Sequence, residues 1–233
     1  VQTCALPIYI KQLLMIQLMI IILCLISLDC LVRMKMKKNI IAISREFGSG
    51  GRTIGKLVAE KLGIEFYDKD IIKKVAEESG LTRKYVEHYG EFAPSSDQRF
   101  AYSFVGLDED SNSPLVQLWK TREKVITDFA TAKPCVIVGS CADYILRDRE
   151  DCLKVFLYAD EETKENRIQE IYGEAGLKLK NRVKDMDVRR GLNYKYFTGQ
   201  DWGKAQNYDL ALNRGSLGIE KCAQLIVDAA SEE

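Results

Sequence analysis

Short apolar runs alternate with longer amphipathic stretches along most of the chain. The runs at 40–43, 64–67, 135–139, 153–158 and 208–213 are predicted to be strands, because continuous apolar runs are typical of parallel strands buried on both faces. Between them, apolar residues recur at helical spacing, which predicts helices at 53–62, 71–79, 82–88, 115–132, 161–172 and 219–230. The alternation predicts an α/β fold, a three-layer α/β/α sandwich around a central parallel five-stranded sheet with right-handed crossovers.

The first predicted strand leads into a glycine-rich turn at 48–51 and then into a helix, which Gly63 is placed to cap. This arrangement suits a phosphate group, because glycines let successive N–H groups point inward and the helix adds a partial positive charge. The spacing departs from the P-loop pattern, since Glu46 stands in place of its first glycine and Arg52 in place of its lysine. The spacing alone leaves two interpretations, an anion-binding turn or a tight strand-to-helix connection.

Arg52 and Thr53 favour the anion-binding interpretation. A guanidinium at a helix N-terminus is repelled by the helix dipole unless an anion lies between them. Thr53 places a hydroxyl where Mg²⁺ bound to a nucleotide needs an oxygen ligand. We therefore expect Thr53 to be the metal ligand of this turn.

Residues 43–72, ISREFGSGGRTIGKLVAEKLGIEFYDKDII, resemble the opening of the cytidylate kinase-like family, P-loop proteins related to bacterial CMP kinases. The likeness continues at 136–146, 153–160 and 189–213, and it covers nearly everything from residue 38 onward. An arginine in place of the P-loop lysine is usual in that family. The resemblance implies transfer of the γ-phosphoryl group of ATP to CMP or dCMP with Mg²⁺. The residues implied to bind ATP are Gly48, Ser49, Gly50, Gly51, Arg52 and Thr53.

The candidates for binding the acceptor are Asp68, Ser140, Asp143 and an arginine in an insertion. Asp68 matches the site where relatives begin to receive the nucleoside monophosphate; the alternative is that Asp68 and Asp70 only cap a helix. Ser140 and Asp143 follow the third strand, at the edge where open α/β sheets bind ligands. Close relatives normally carry GRCAD where this chain has GSCAD, so a bidentate phosphate clamp is missing at Ser140. Because no acidic residue ends this strand, Asp143 is the substitute candidate for a Walker-B carboxylate.

Two insertions interrupt the predicted core. The first, about 80–114, is expected to be a mobile segment over the substrate, in which Arg99 is either a phosphate contact or a solvated arginine. The second, about 173–205, contains a basic stretch with interleaved aromatic residues, which is either a solvated helix face, an RNA-binding surface or a lid. Small kinases have a lid here, whose arginines reach the migrating phosphoryl group, and Arg167 is placed like its first arginine. By this resemblance the catalytic candidates are Arg52, Arg182, Arg189 and Arg190.

The composition argues against several other classes of protein. Lysine plus arginine and aspartate plus glutamate both number 34, so no net charge favours nucleic acid or an anionic membrane. The seven cysteines include no CxxC pair, which indicates reduced thiols rather than a disulfide framework or a zinc site. We therefore expect a cytoplasmic protein with no nucleic-acid partner, and the family resemblance implies ATP and a nucleoside monophosphate as its partners. The sequence leaves the oligomeric state open.

Residues 1–33 do not match the rest, because 10–32 are strongly apolar. Three interpretations compete: a translated sequencing adapter before a natural start at Met34, a membrane anchor, or a signal peptide. The kinase-like domain is expected to span residues 34–233.

Two further functions remain open at this point. One is a different small-molecule kinase on the same core, because the acceptor would be selected by the poorly patterned first insertion. The other is a catalytically silent nucleotide-binding module, which Glu46, Ser140 and the missing Walker-B carboxylate favour.

Overall fold

A computed structural model describes residues 36–90, 114–173 and 177–231. The strands within these ranges are β1 (Ile40–Arg45), β2 (Glu65–Tyr67), β3 (Cys135–Val138), β4 (Cys152–Tyr158) and β5 (Leu210–Asn213). The described helices are α1 (Gly51–Leu62), α2 (Lys69–Ser79), α3 (Arg83–Gly90), α4 (Pro114–Ala132), α5 (Ala142–Ile145), α6 (Glu161–Tyr172), α7 (Leu177–Thr198) and α8 (Arg214–Ala230). The predicted alternation of strands and helices is confirmed.

The described strands form one parallel sheet in the order β2-β3-β1-β4-β5. β1 lies in the middle, with Ile41 opposite Val136 of β3 on one side and Leu153 of β4 on the other. The chain passes from one side of β1 to the other between β3 and β4. Ligands of open α/β sheets bind outside the carboxyl ends of the strands at such a switch point. The turn after β1 is therefore in the expected place for a ligand.

Both faces of the sheet are covered by helices. Ile41 and Ile43 of β1 pack into one apolar core with residues of α1 and α8, and Ile40 and Ala42 pack into a second core with residues of α2 and α4. Fully burying a side chain such as isoleucine contributes roughly 1.5–3 kcal/mol. This two-sided burial explains why β1 reads as a continuous apolar run, and it makes β1 a rigid support for the turn that follows it.

The ends of two helices bear on the site. Gly63 caps α1 as predicted, with a left-handed φ of 65° and its N–H directed to the carbonyl groups of Ala59 and Glu60. Asp70, named above as a possible helix cap, is not the N-cap of α2, because α2 begins at Lys69 and Asp70 lies inside its first turn. Asp68 occupies the N-cap position but makes no capping hydrogen bond through its side chain.

The described cysteines, Cys135, Cys141, Cys152 and Cys222, are free and buried. Burial raises the pKa of the Cys135 and Cys152 thiols to about 12, so both remain protonated near neutral pH. Among the described residues, no helix combines the length and the apolar character that a membrane crossing requires. The interpretations of residues 1–33 concern a segment outside the described residues.

Candidate phosphate-binding site

The turn between β1 and α1 has the backbone shape that its glycines allow. Gly48 and Gly50 adopt left-handed conformations, with φ of 83° and 86°. The side chain of Ser49 is fully buried, and both its hydroxyl and its amide donate to the carbonyl oxygen of Glu46, at 2.9 and 3.3 Å. Ser49, predicted to bind ATP, therefore closes the turn in this structure. A Cβ atom on Gly48 would lie 2.9 Å from the carbonyl oxygen of Lys164, so this position excludes a side chain.

A row of backbone N–H groups follows from this shape. No hydrogen-bond acceptor within residues 36–90, 114–173 and 177–231 is found for the amides of Gly48, Gly50, Gly51, Arg52 and Thr53. The first N–H groups of a helix have no partner within the helix, and the dipole adds a partial positive charge there. This combination binds anions in many proteins.

These residues line a cleft of about 410 Å³. Its polar lining comes from the turn, the start of α1 and Asp68, and its apolar lining includes Ile72, Ile168 and Ile171. An apolar wall beside convergent polar groups is the usual construction of a small-molecule site. The cleft therefore offers room for more than an isolated anion.

Arg52 and Asp68 meet at this cleft. The Nε atom of Arg52 lies 3.1 Å from Oδ2 of Asp68, and the two side chains are 59% and 16% exposed. The guanidinium remains well exposed to water, and ion pairs with a solvent-exposed partner contribute little net free energy, about 0–1 kcal/mol. The guanidinium can therefore exchange this partner for a phosphate group at small cost. The alternative that Asp68 and Asp70 only cap a helix does not account for this contact.

Two further arginines line the same cleft. Nη2 of Arg167 donates to the Thr53 hydroxyl over 2.7 Å, which brings α6 onto the start of α1. Arg45, the last residue of β1, was not among the predicted site residues. The sequence did hold one indication of a role for Arg45, its position at the end of a strand beside a glycine turn. We missed this indication because Arg45 directly follows an apolar run that we interpreted only as a strand.

The three arginines predicted on α7 have different positions. Arg190 lines the cleft and donates from Nη1 to the carbonyl oxygen of Arg45 over 3.2 Å. The guanidinium groups of Arg182 and Arg190 lie 5.6 and 5.8 Å from the centre of the Phe47 ring. Arg189 lies 3.8 Å from Asp185 on its own helix and is not among the residues lining the cleft. Of the three predicted α7 arginines, Arg190 is thus the one that lines the cleft.

The remaining predicted residues lie away from the cleft. Ser140 lines a small cavity of about 20 Å³ that shares Arg45 and Arg190 with the cleft. Ser140 has a left-handed φ of 57°, which is uncommon for a residue other than glycine. Asp143 is 3% exposed and accepts a hydrogen bond of 2.7 Å from the hydroxyl of Tyr194, so it joins α5 to α7. Arg99 lies outside the described residues.

The buried carboxyl group of Asp143 gives a prediction about stability. Burial raises its pKa from the ordinary 3.8 to about 6, although the hydrogen bond from Tyr194 opposes the shift. The folded protein therefore holds this proton more tightly than the unfolded chain, and this contribution to stability falls as pH rises through that window. Two pKa units correspond to up to about 3 kcal/mol.

Chemical denaturation of the wild type and Asp143→Asn at pH 4.5, 5.5 and 7.5 measures this effect. We expect the free energy of unfolding of the wild type, relative to the variant, to decrease from the lowest pH to the highest. An identical pH dependence in both proteins would mean that Asp143 does not titrate as described.

The oxygen groups at the cleft fit a magnesium ion held mainly by phosphate and water. The Thr53 hydroxyl and the Asp68 carboxylate line the same cleft, and Mg²⁺ prefers oxygen ligands. Among the described residues there is no group of three or more His, Cys, Asp or Glu side chains placed to hold a metal. Mg²⁺ in kinase sites usually takes only one or two protein ligands besides substrate phosphates, so the available set matches that use.

Comparison with known proteins decides the family. The family model described as "Cytidylate kinase-like family" matches residues 40–216. The chain belongs to the cytidylate kinase-like family. The match includes the phosphate turn, the GSCAD segment and α7, so it spans every site residue that was predicted from the sequence.

Two curated cytidylate kinases resemble the chain over most of its length. The enzyme of Archaeoglobus fulgidus is 25% identical over 190 residues, covering 81% of this chain and 93% of that protein. The enzyme of Methanobrevibacter smithii is 26% identical over 189 residues, covering 81% of this chain and 96% of that protein. Together with the family match, these relatives support an ATP-dependent phosphotransferase.

A solved structure shows the same architecture. The crystal structure of an uncharacterized protein from Eubacterium ventriosum matches with a TM-score of 0.64 and 27% identity, covering 83% of this chain and 98% of that one. The fold of this family member is thus found in an experimental structure.

Proposed function

We propose that this protein transfers the γ-phosphoryl group of ATP to a cytidine monophosphate, CMP or dCMP. One observation supports the proposal above all others: the N–H groups of the glycine turn and four arginines surround one cleft at the N-terminus of α1, the arginines being Arg45, Arg52, Arg167 and Arg190. A polyphosphate tail is the ligand that such a concentration of donors and positive charge suits best. The names of the two curated relatives supply the choice of cytidine as the acceptor base.

Phosphoryl transfer needs positioned reactants and positive charge around the transferred group more than it needs covalent chemistry. In our proposal the amides of the turn hold the ATP phosphates. Arg52 leaves Asp68 and takes the part that lysine has in the P-loop. Arg190 and Arg167 then neutralise charge that develops on the γ-phosphoryl oxygens, with Arg182 behind them. The mechanism requires no histidine base.

The Thr53 hydroxyl would hold Mg²⁺ once the Arg167 side chain gives up its hydrogen bond to it. When bound, the ion offsets the negative charge of the ATP phosphates. Asp68 would then orient the acceptor or water ligands of the ion, because its carboxylate is released by Arg52 in the same rearrangement.

The acceptor phosphate would lie between the cleft and the small cavity at Ser140. The family resemblance leads us to expect an arginine at this position, where this chain has a serine and lacks that charge. Arg45 and Arg190 border both spaces, so they are placed to supply that charge from neighbouring elements. Ser140 would contribute a hydroxyl in place of a bidentate clamp.

ADP release measured with CMP, dCMP, UMP, AMP and GMP in turn tests the proposal. We expect CMP or dCMP to stimulate ATP turnover far above the rate with ATP alone. The absence of stimulation by every monophosphate, measured beside an active cytidylate kinase, would contradict the proposed activity. Stimulation by another monophosphate would instead assign a different acceptor to the same core.

A serine at position 140, where the family resemblance implies a phosphate-binding arginine, favours a second candidate function. This candidate is a nucleotide-binding module without catalysis. For such a module we expect ATP to raise the melting temperature, because a ligand that binds the folded state stabilises that state. We expect no ATP turnover with any acceptor. Measuring thermal shift and ADP release on the same preparation separates the two functions.

A further inference from the structure

Three charged residues form an anchor at the base of the phosphate turn, and we call Glu46, Lys164 and Asp187 the loop anchor. Nζ of Lys164 lies 3.0 Å from Oε2 of Glu46 and 3.1 Å from Oδ2 of Asp187. The side chain of Lys164 is only 10% exposed, and that of Asp187 is 16% exposed. The anchor thus joins three elements, the end of β1, the helix α6 and the helix α7.

The same carboxylates also bind backbone amides, that of Asp187 in the turn and that of Glu46 directly after β4. The amide of Phe47 donates to Oδ1 of Asp187 over 2.6 Å. Oε2 of Glu46 accepts from the amide of Ala159 over 3.3 Å. The amide of Phe47 is therefore held by the carboxylate of Asp187, and the side chain of Glu46 ties the residue before it to Lys164 and to the end of β4. Glu46 thus has a structural reason to stand where the P-loop pattern has a glycine.

Lys164 keeps its charge in this environment. Burial alone would lower its pKa, but the hydrogen bond to Glu46 and the charge of Asp187 outweigh burial and raise the pKa above its ordinary value. The ammonium group thus screens two carboxylates from each other and fixes their orientation. Removing one member of such a cluster leaves the others uncompensated, which is far more costly than losing an exposed pair.

Asp187 lies on α7 between the two arginines that reach Phe47. Arg182 and Arg190 contact the ring of Phe47, and Arg190 also donates to the carbonyl oxygen of Arg45. The carboxylate of Asp187 holds the amide of the same Phe47. A shift of α7 relative to the turn would therefore disturb the Phe47 backbone and the arginines together.

We propose that Asp187 is a positioning residue, which keeps the phosphate turn in its binding shape and fixes the arginines of α7 against it. This inference rests on the proposed function, because it assumes that the turn binds ATP. It does not depend on which acceptor the enzyme uses.

The test compares Asp187→Ala, Asp187→Asn and Lys184→Gln with the wild type, using calorimetric titration with ATP and Mg²⁺ and the KM and kcat for ATP. Lys184 is the matched control. It forms an exposed ion pair of 3.3 Å with Glu161, which joins the same two helices, α6 and α7, without reaching the turn. We expect D187A to weaken ATP binding about tenfold or more, as for loss of a charge-assisted hydrogen bond. D187N retains an oxygen for the Phe47 amide, so its ATP affinity should stay within about threefold, and K184Q should match the wild type.

Wild-type affinity in D187A, or an equal loss in K184Q, would overturn the inference while leaving the proposed function intact. No ATP binding by the wild type would overturn the proposed function and this inference with it. If D187A fails to fold, the rate of hydrogen exchange at the Phe47 amide is measured in D187N instead, and this rate tests the proposal. We expect faster exchange than in the wild type, because a neutral oxygen is the weaker acceptor, and unchanged exchange would contradict the proposal.

Discussion

Arg52→Met should lower kcat/KM for ATP by about 10²- to 10³-fold, as removal of one transition-state charge contact commonly does. The variant keeps an unbranched side chain of similar length. It loses the guanidinium that lines the cleft beside the backbone amides of the turn. Arg52 is 59% exposed and pairs with Asp68 in the same cleft, so its loss should change the stability of the fold little. Steady-state ADP release with varied ATP measures the effect.

Lys56→Met is the matched control, because Lys56 is an exposed cation on the same helix, paired with Glu60 away from the cleft. We expect K56M to keep the wild-type kcat/KM. Arg52→Lys should recover part of the activity, since it restores the charge but not the forked geometry. Equal losses in R52M and K56M would show that the effect comes from the charge of the helix as a whole.

Gly48→Ala should destabilise the fold by about 2 kcal/mol or more and weaken ATP binding at least about tenfold. Its left-handed φ of 83° strains any residue with a Cβ atom, and that atom would also lie 2.9 Å from the backbone carbonyl oxygen of Lys164. The turn or α6 must then move, and the amide row moves with it. Thermal unfolding and ATP titration measure the two effects.

Gly63→Ala separates backbone strain from the steric effect. Gly63 also has a left-handed φ, of 65°, but a Cβ atom there would meet nothing within 4 Å. We expect G63A to lose about 1 kcal/mol of stability and to bind ATP like the wild type. If G48A binds ATP as well as G63A does, the shape of the turn is not what holds the nucleotide.

The strands and most helices could be predicted because their signals are local. β1 reads as a strand since its side chains are buried on both faces, and Gly63 reads as a cap since few other residues tolerate its φ. The predicted start of α2 was wrong, because a contact between residues distant in sequence decides what the Asp68 side chain does. The carboxylate of Asp68 is directed to Arg52 instead of capping the helix, so the capping pattern misled the prediction.

The candidate site could be predicted only in part. The glycine turn, Arg52 and Thr53 are adjacent in sequence, and the structure places them with Asp68 and Arg190 around one cleft. The loop anchor was missed, because Lys164 is 118 residues from Glu46 and a charged helix offers no sign of which lysine points inward. Asp143 was placed on the acceptor side from its position after β3, but Tyr194, 51 residues away, covers its carboxylate.

A crystal structure with CMP and a non-hydrolysable ATP analogue tests the central claim most directly. We predict that the β- and γ-phosphate oxygens lie within hydrogen-bond distance of the amides of the turn and the start of α1, with Arg52 turned from Asp68 to phosphate. A nucleotide bound elsewhere, or phosphates that leave those amides without contact while Arg52 stays on Asp68, would contradict the account.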